Sequence, residues 1–291
     1  MPSPQEARLL FSELVQRPDE EIDLVEAALL IAADQGSDVI IELRQTQIDN
    51  MARRVKDRMA EFSKGKPIDP MYFPIEVVQV TNLVLYAEEG FYANRDDYYD
   101  PENSYLDRVL ERRTGIPITL GLVYMEIARR VGLPLRGIGL PGHFVLGYWP
   151  HEDRLPEMII DPFDRGNILS IGECAGLVYK LYGPSVEFNI EWVRPMSNRQ
   201  ILARMLNNLK HAHTARRDYQ NALGAIDLLL LAQPEATWEL KERAFIQYRM
   251  GHFAQALKDL ERYIQSNPDE VRNAQIGFYF TVLQRLAVSN N

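Results

Sequence analysis

One short pattern is written twice in this chain, and it constrains the fold of the C-terminal third more tightly than any other feature. Asp218-Tyr219-Gln220-Asn221-Ala222-Leu223 returns 34 residues later as His252-Phe253-Ala254-Gln255-Ala256-Leu257, and Pro234 and Pro268 follow at the same offset. A small alanine lets two helices approach closely, and a proline cannot continue a helix. Each unit therefore reads as a helical hairpin, which cannot bury its apolar face alone. Two units and a helix expected over residues 271–287 are near the minimum for a stable stack, so the array is expected to dock on the domain before it.

Upstream, apolar residues recur at helical spacing over the first 65 residues, with helices expected around 7–15, 23–33 and 37–63. Gly65-Lys66-Pro67 breaks the chain, and another helix is expected over 75–90. Residues 94–104 form a polar loop laced with tyrosine, which ends in a helix start at Asn103 or Ser104. Helices are expected over 105–113 and 120–131; Pro117 suits a position just before or inside the first turn of the second. Two or three strands follow, over 135–140, 143–148 and 158–161, then a helix over 173–182. The divisions drawn are an N-terminal helical segment (1–66), a core (67–195) and a repeat segment (196–291). The 291 residues suffice for one large or two medium domains.

Charge narrows the partners. The net charge is −9, and it is uneven: residues 196–291 hold 12 Lys/Arg against 9 Asp/Glu, leaving 20 against 32 in the remainder. An acidic body disfavours phosphate-backbone binding, so no nucleic-acid partner is expected. No apolar run approaches the ~18 residues of a membrane span, so none is expected there either. There is no signal-peptide pattern after Met1, and the single cysteine, Cys174, excludes an internal disulfide and a cysteine-rich zinc site. A cytoplasmic location is expected.

The chemistry concentrates between residues 115 and 162. Gly115-Ile116-Pro117 precedes a helix ending Arg129-Arg130-Val131-Gly132-Leu133-Pro134-Leu135-Arg136; Pro141-Gly142-His143-Phe144 and Ile159-Ile160-Asp161-Pro162 follow. This order resembles the core of the transglutaminase-like (papain-like) cysteine enzymes. The resemblance implies a Gly-x-Cys opening the helix, with a base and its orienting carboxylate on adjacent strands. Those two roles fall on His143 and Asp161, while the nucleophile position reads Pro117. A thiolate at a helix N-terminus, an imidazole and a carboxylate are what such catalysis requires, and here the sulfur is missing.

The match goes further. Residues 94–106, 112–120, 139–144 and 160–163 together resemble the bacterial SirB-type (YchA-like) proteins, from about residue 20 to 285. That resemblance implies an α+β fold: a transglutaminase-like core with a small antiparallel sheet, followed by all-α tetratricopeptide-like repeats. It also implies that Gly-Ile-Pro in place of Gly-x-Cys is a family trait, in a family with no firmly assigned biochemical activity. A related core occurs in a eukaryotic F-box protein.

Other candidates remain open on sequence grounds. Thr119 reads as a helix cap or as a hydroxyl nucleophile, with Thr114 and Ser104 upstream, and Cys174 reads as packing. Asn94, Arg95, Asp96, Asp97 and Tyr98 read either as a polar loop or as the mouth of a binding pocket. Asp96, Asp97 and Asp100 lack the glycine and terminal glutamate of a calcium loop, so no metal is expected, and no cofactor. The expected function is a non-catalytic binding or regulatory module that engages an unknown protein or peptide through the repeat. The alternative is a hydrolase or acyl transferase using His143 and Asp161 with water or a hydroxyl.

Overall fold

The structure is a computed structural model that describes residues 1–151 and 154–289. Helix α1 (Pro4–Leu14) starts at Ser3, whose hydroxyl accepts from the Glu6 N–H while the Glu6 carboxylate accepts from the Ser3 N–H. These reciprocal bonds satisfy two donors that a helix start otherwise leaves open. Helix α2 (Leu24–Asp34) is capped by Asp23 and is buried over nearly its whole length, as its run of Leu, Ile and Ala requires. It touches α1, α3, α5, α6, α8 and α9 and is the central rod of the molecule. Helix α3 (Ile41–Phe62) is amphipathic: Ile48, Met51, Val55 and Met59 face inward, and Arg54 and Arg58 pair with Glu88 and Glu89 outside.

The helix expected over 75–90 is two structures. α4 (Pro74–Asn82) gives way to a π-turn over Leu83–Glu88, in which Glu89 N–H donates to Val84 O at 2.8 Å. Such widened turns recur at functional sites. Here the turn brings Tyr86 to the chain after Asp161, where its hydroxyl donates to Pro162 O at 2.9 Å.

Strand β1 (Tyr92–Ala93) pairs in parallel with β2 (Thr114–Gly115), with α5 (Leu106–Arg112) between them. Helix α6 (Pro117–Val131) follows, with Pro117 at its first turn and Gly132 closing it in the left-handed conformation. The chain then makes an antiparallel meander of β3 (Leu135–Ile138), β4 (Val145–Tyr148), β5 (Met158–Asp161) and β6 (Asn167–Leu169). β4 and β5 are buried throughout, because α6 covers one face and α7 (Ile171–Tyr182) covers the other. Buried on both faces, they read as continuous apolar runs rather than alternating ones. β6 is a fourth strand beyond the two or three expected: it is three residues long, lies at the edge and is largely exposed, so its sequence carries little strand signal.

The repeat forms as its offset requires. Helices α8 (Asn198–Ala215) and α9 (Tyr219–Ala232) make one hairpin, α10 (Trp238–Arg249) and α11 (Phe253–Ser266) the next, and α12 (Ala274–Ser289) packs on α11. Ala222 and Ala256 are both fully buried at the crossings. Pro234 and Pro268 each stand two residues beyond the end of their helix.

The first hairpin is continuous with the core. Ile201, Leu202, Met205, Leu206 and Leu209 of α8 share one apolar cluster with α2, α6 and the inner face of the sheet. Arg8 of α1 binds Asp34 through two hydrogen bonds and reaches Asp227 of α9 at 3.2 Å. Tyr105 bonds His213 at 2.7 Å, and His213 bonds Asp218 at 2.9 Å, tying the start of α5 to the α8–α9 turn. The repeat therefore docks on the core through its first unit, while the second unit and α12 have their own small cluster.

Candidate functional site

His143 lies two residues before Val145, the first residue of β4, and Asp161 is the last residue of β5. The pairing of Leu146 with Ile160 places both side chains off the same face of the sheet. The His143 Nε2–H donates to Asp161 Oδ2 at 2.8 Å. Asp161 Oδ1 accepts from the N–H groups of Phe163 and Asp164 at 2.9 and 3.3 Å. This bond and the two backbone donors hold the imidazole in one orientation, with Nε2 engaged and Nδ1 outside the pair.

Close packing sets this geometry. Phe144 fits between Gly121 of α6 and Gly137 of β3; a Cβ on either would lie 2.7 or 2.5 Å from its ring. Gly166, at φ +73°, turns the chain after Asp161, and a Cβ there would meet Asn82 Oδ1 at 1.9 Å. Asn82 donates to Gly166 O at 3.0 Å and accepts from the Tyr124 hydroxyl at 2.9 Å. Both sides of the His–Asp pair are thus braced from α4 and α6.

The pair opens onto a cleft of about 850 Å³. Pro117 and Ile118 form its wall at the start of α6. Leu177, Lys180, Leu181 and Tyr182 come from α7, Phe163 and Asp164 from the turn after β5, and Arg95, Tyr98 and Tyr99 from the 94–104 loop. The fourth wall is α8, through Arg204, Asn208 and His211. Arg204 Nη2 donates to Leu140 O and His143 O at 2.9 and 2.6 Å, bracing the loop that carries the histidine. Burial pushes the Arg204 guanidinium below its ordinary value, the Tyr98 phenol above its own, and the His211 imidazole down, with Lys210 adding to that last effect.

Of the residues singled out from sequence, the structure gathers His143, Asp161, Arg95 and Tyr98 around this cleft, with Pro117 at the vacant position. Asn94, Asp96, Asp97 and Thr119 are not among its walls. Thr119 is fully buried; its hydroxyl accepts from Ile116 N–H and donates to Asn103 O at 2.7 Å, so it is a cap with its hydrogen-bonding capacity engaged. Asn94 bonds Asn103 and Asp97 N–H inside the loop, and Asp97 pairs with Arg216 at 2.9 Å. Asp96 is exposed. Asp100 pairs with Arg112 and Arg216, and no described group of three or more His, Cys, Asp or Glu side chains is placed to hold a metal ion. Cys174 is buried in the cluster under α7, where burial, with the Asp161 charge adding to it, pushes its thiol up to about 11. A thiol held there is protonated at neutral pH and is no nucleophile.

Arg204, Asn208 and His211 escape a reading of the sequence around the motif, because they lie some sixty residues further on. The available signal was their spacing: i, i+4 and i+7 on a helix whose opposite face is Leu202, Met205, Leu206 and Leu209.

Comparison with known proteins agrees with this architecture. The model of the Transglutaminase-like superfamily matches residues 43–207, and that of the Tetratricopeptide repeat matches 209–276. The boundary between the two falls inside α8. A UPF0162 protein of Xylella fastidiosa (strain Temecula1) is 32% identical over 262 residues, covering 89% of each chain. A UPF0162 protein of Pseudomonas aeruginosa is 31% identical, over 87% of this chain and 88% of its own. Human F-box only protein 21 is 30% identical over 81% of this chain, which amounts to 40% of that longer protein. These bacterial relatives fit the SirB-type (YchA-like) resemblance of the motifs. No solved structure matches.

Proposed function

The chain belongs to the transglutaminase-like superfamily, and on that premise we propose that it is a non-catalytic binding or regulatory module for a protein partner. The observation that carries this reading is Pro117. It occupies the first turn of α6 in the cleft that His143 lines, and none of the cleft walls is a Cys, Ser or Thr. A base and its orienting carboxylate, with no thiol or hydroxyl of Cys, Ser or Thr in the cleft to give up a proton and attack, bind but form no acyl-enzyme. The His143–Asp161 bond then serves to hold the ends of β4 and β5 together and to fix the orientation of the imidazole in the cleft.

The repeat supplies the docking surface in this reading. Trp238 on α10 and Phe278 on α12 are 53% and 63% exposed and give the second unit and the terminal helix apolar surface for a partner. Among the described residues no helix is long and apolar enough to cross a membrane, and a reducing, cytoplasmic setting fits a single buried thiol. A second reading, hydrolysis by a water that His143 deprotonates, draws on the same retained pair.

Replacing the two exposed aromatics, Trp238→Ala with Phe278→Ala, tests the docking role in the full-length chain. Affinity capture from native lysate should lose its specific partner, while the chain still unfolds cooperatively with a midpoint lowered by several degrees, because Trp238→Ala also removes the indole donor to the buried Glu239, about 1–3 kcal/mol. Unchanged capture would move the docking surface off the repeat.

A further inference from the structure

The cleft carries an imbalance of charge that its own residues do not resolve. Its cationic side chains are Arg95, Lys180 and Arg204; its carboxylates are Asp161 and Asp164. Asp161 is committed to His143 and two backbone N–H groups, and Asp164 lies 3.7 Å from Arg95. Arg204 is paired only with two carbonyl oxygens among the described residues, and Lys180 with no carboxylate. A guanidinium that is largely withdrawn from water and faces no anion is costly unless a ligand supplies one. This positive cleft sits on a chain of net charge −9.

Beside the cations the cleft is apolar. Tyr99, Leu181 and Tyr182 make an apolar strip on its rim, each about half exposed or more. A single small anion would cover Arg204 and leave this strip bare. An extended chain would cover both, with a carboxylate on the α8 side and apolar side chains on the α7 side.

From this juxtaposition we propose that the cleft binds an acidic peptide segment of a partner protein, with a carboxylate against Arg204 and an apolar side chain against Leu181 and Tyr182. The assignment rests on the reading of the cleft as a binding site. The α8 wall explains why core and repeat are one unit: the helix that opens the repeat also supplies the cation. Charge complementarity gives the site its selectivity, since a basic or neutral segment leaves the half-buried guanidinium without an anion.

The test uses the full-length protein and a set of dye-labelled, acetylated hexapeptide amides. Two positions alternate between Glu and Gln, and two more among Leu, Phe, Tyr and Ser; binding is read by fluorescence polarisation. Glu peptides with Leu or aromatic residues should bind about tenfold more tightly than their Gln counterparts, and the difference should shrink as salt rises. Arg204→Met should erase the preference for Glu. Because Arg204 also braces the His143 loop, Lys180→Gln, on an exposed side chain, is the second variant; it should weaken Glu peptides severalfold without altering the thermal midpoint. Equal binding of Glu and Gln peptides, no binding of any peptide, or displacement by free acetate at equal potency would each overturn the assignment. Covalent change of a Glu peptide that binds with the expected preference would instead uphold the ligand class and overturn the non-catalytic reading.

Discussion

Pro117→Cys is expected to create a thiol that reacts with iodoacetamide at pH ~6 about tenfold faster than an ordinary cysteine. The cysteine would stand in the first turn of α6, in the cleft that His143 lines. A helix N-terminus and a neighbouring imidazole bring thiol pKa values from ~8.5 into a range of roughly 3.5–7.5. At pH ~6 that raises the thiolate fraction by a factor on the order of 100, and the lower nucleophilicity of a more acidic thiolate takes back about tenfold. Cys174 is a silent internal control, because it is buried and its thiol is pushed up to about 11. His143→Ala in the same background should return the rate to that of an ordinary thiol. A Pro117→Cys rate that is ordinary from the outset, and indifferent to His143→Ala, would mean that the imidazole does not serve the start of α6.

Lys210→Met is expected to be the most destabilising single change in the repeat, by about 3–5 kcal/mol. The ammonium of Lys210 donates to both oxygens of Glu239 at 2.8 Å, and the two side chains are 8% and 1% exposed. Removing the cation leaves Glu239 in the interior with only the Trp238 indole N–H, at 3.0 Å, to offset its desolvation. The pair as a whole contributes far less than that loss, because burying two charges costs nearly what their attraction returns. Lys210→Met with Glu239→Leu should therefore recover to within about 1 kcal/mol of the native chain in urea unfolding. A single variant that loses less than about 1 kcal/mol would show that water reaches the pair. The consequence extends to the cleft: Lys210 and His211 are neighbours on α8, so loosening α8 from α10 also loosens the wall that carries Arg204 and His211.

What was legible in the sequence was local or periodic. The 34-residue offset, the proline after each second helix and the apolar spacing of α2 gave the helical architecture, because each is a rule about one element and its nearest neighbour. His143 and Asp161 were legible as neighbours through the motifs that resemble the transglutaminase-like core; in the structure their strands are consecutive in the chain and pair directly, so sequence order and spatial order coincide. The α8 wall was not legible as part of the site. Arg204 reaches Leu140 O and His143 O only once the whole sheet has packed on α8, and nothing near residue 204 records that destination. The loop residues divided for the same reason. Arg95 stacks on Phe163 at 4.8 Å and faces the cleft, whereas Asp97, two positions on, turns to Arg216. Thr119 carried two readings of one hydroxyl, and the Asn103 carbonyl engages it as a cap. The π-turn over Leu83–Glu88 had no sequence signature; within it the Tyr86 hydroxyl reaches Pro162 O, a contact 76 residues away in the chain that local spacing does not record.

The most direct test of the account is the intact mass of the captured partner after prolonged incubation with catalytic amounts of this protein, native or His143→Ala. A binding module without a nucleophile predicts a saturable complex and a partner whose mass is unchanged with either protein. A partner that is cleaved, deamidated or crosslinked over many turnovers by the native chain, and left intact by His143→Ala, would contradict it and make the cleft an active site.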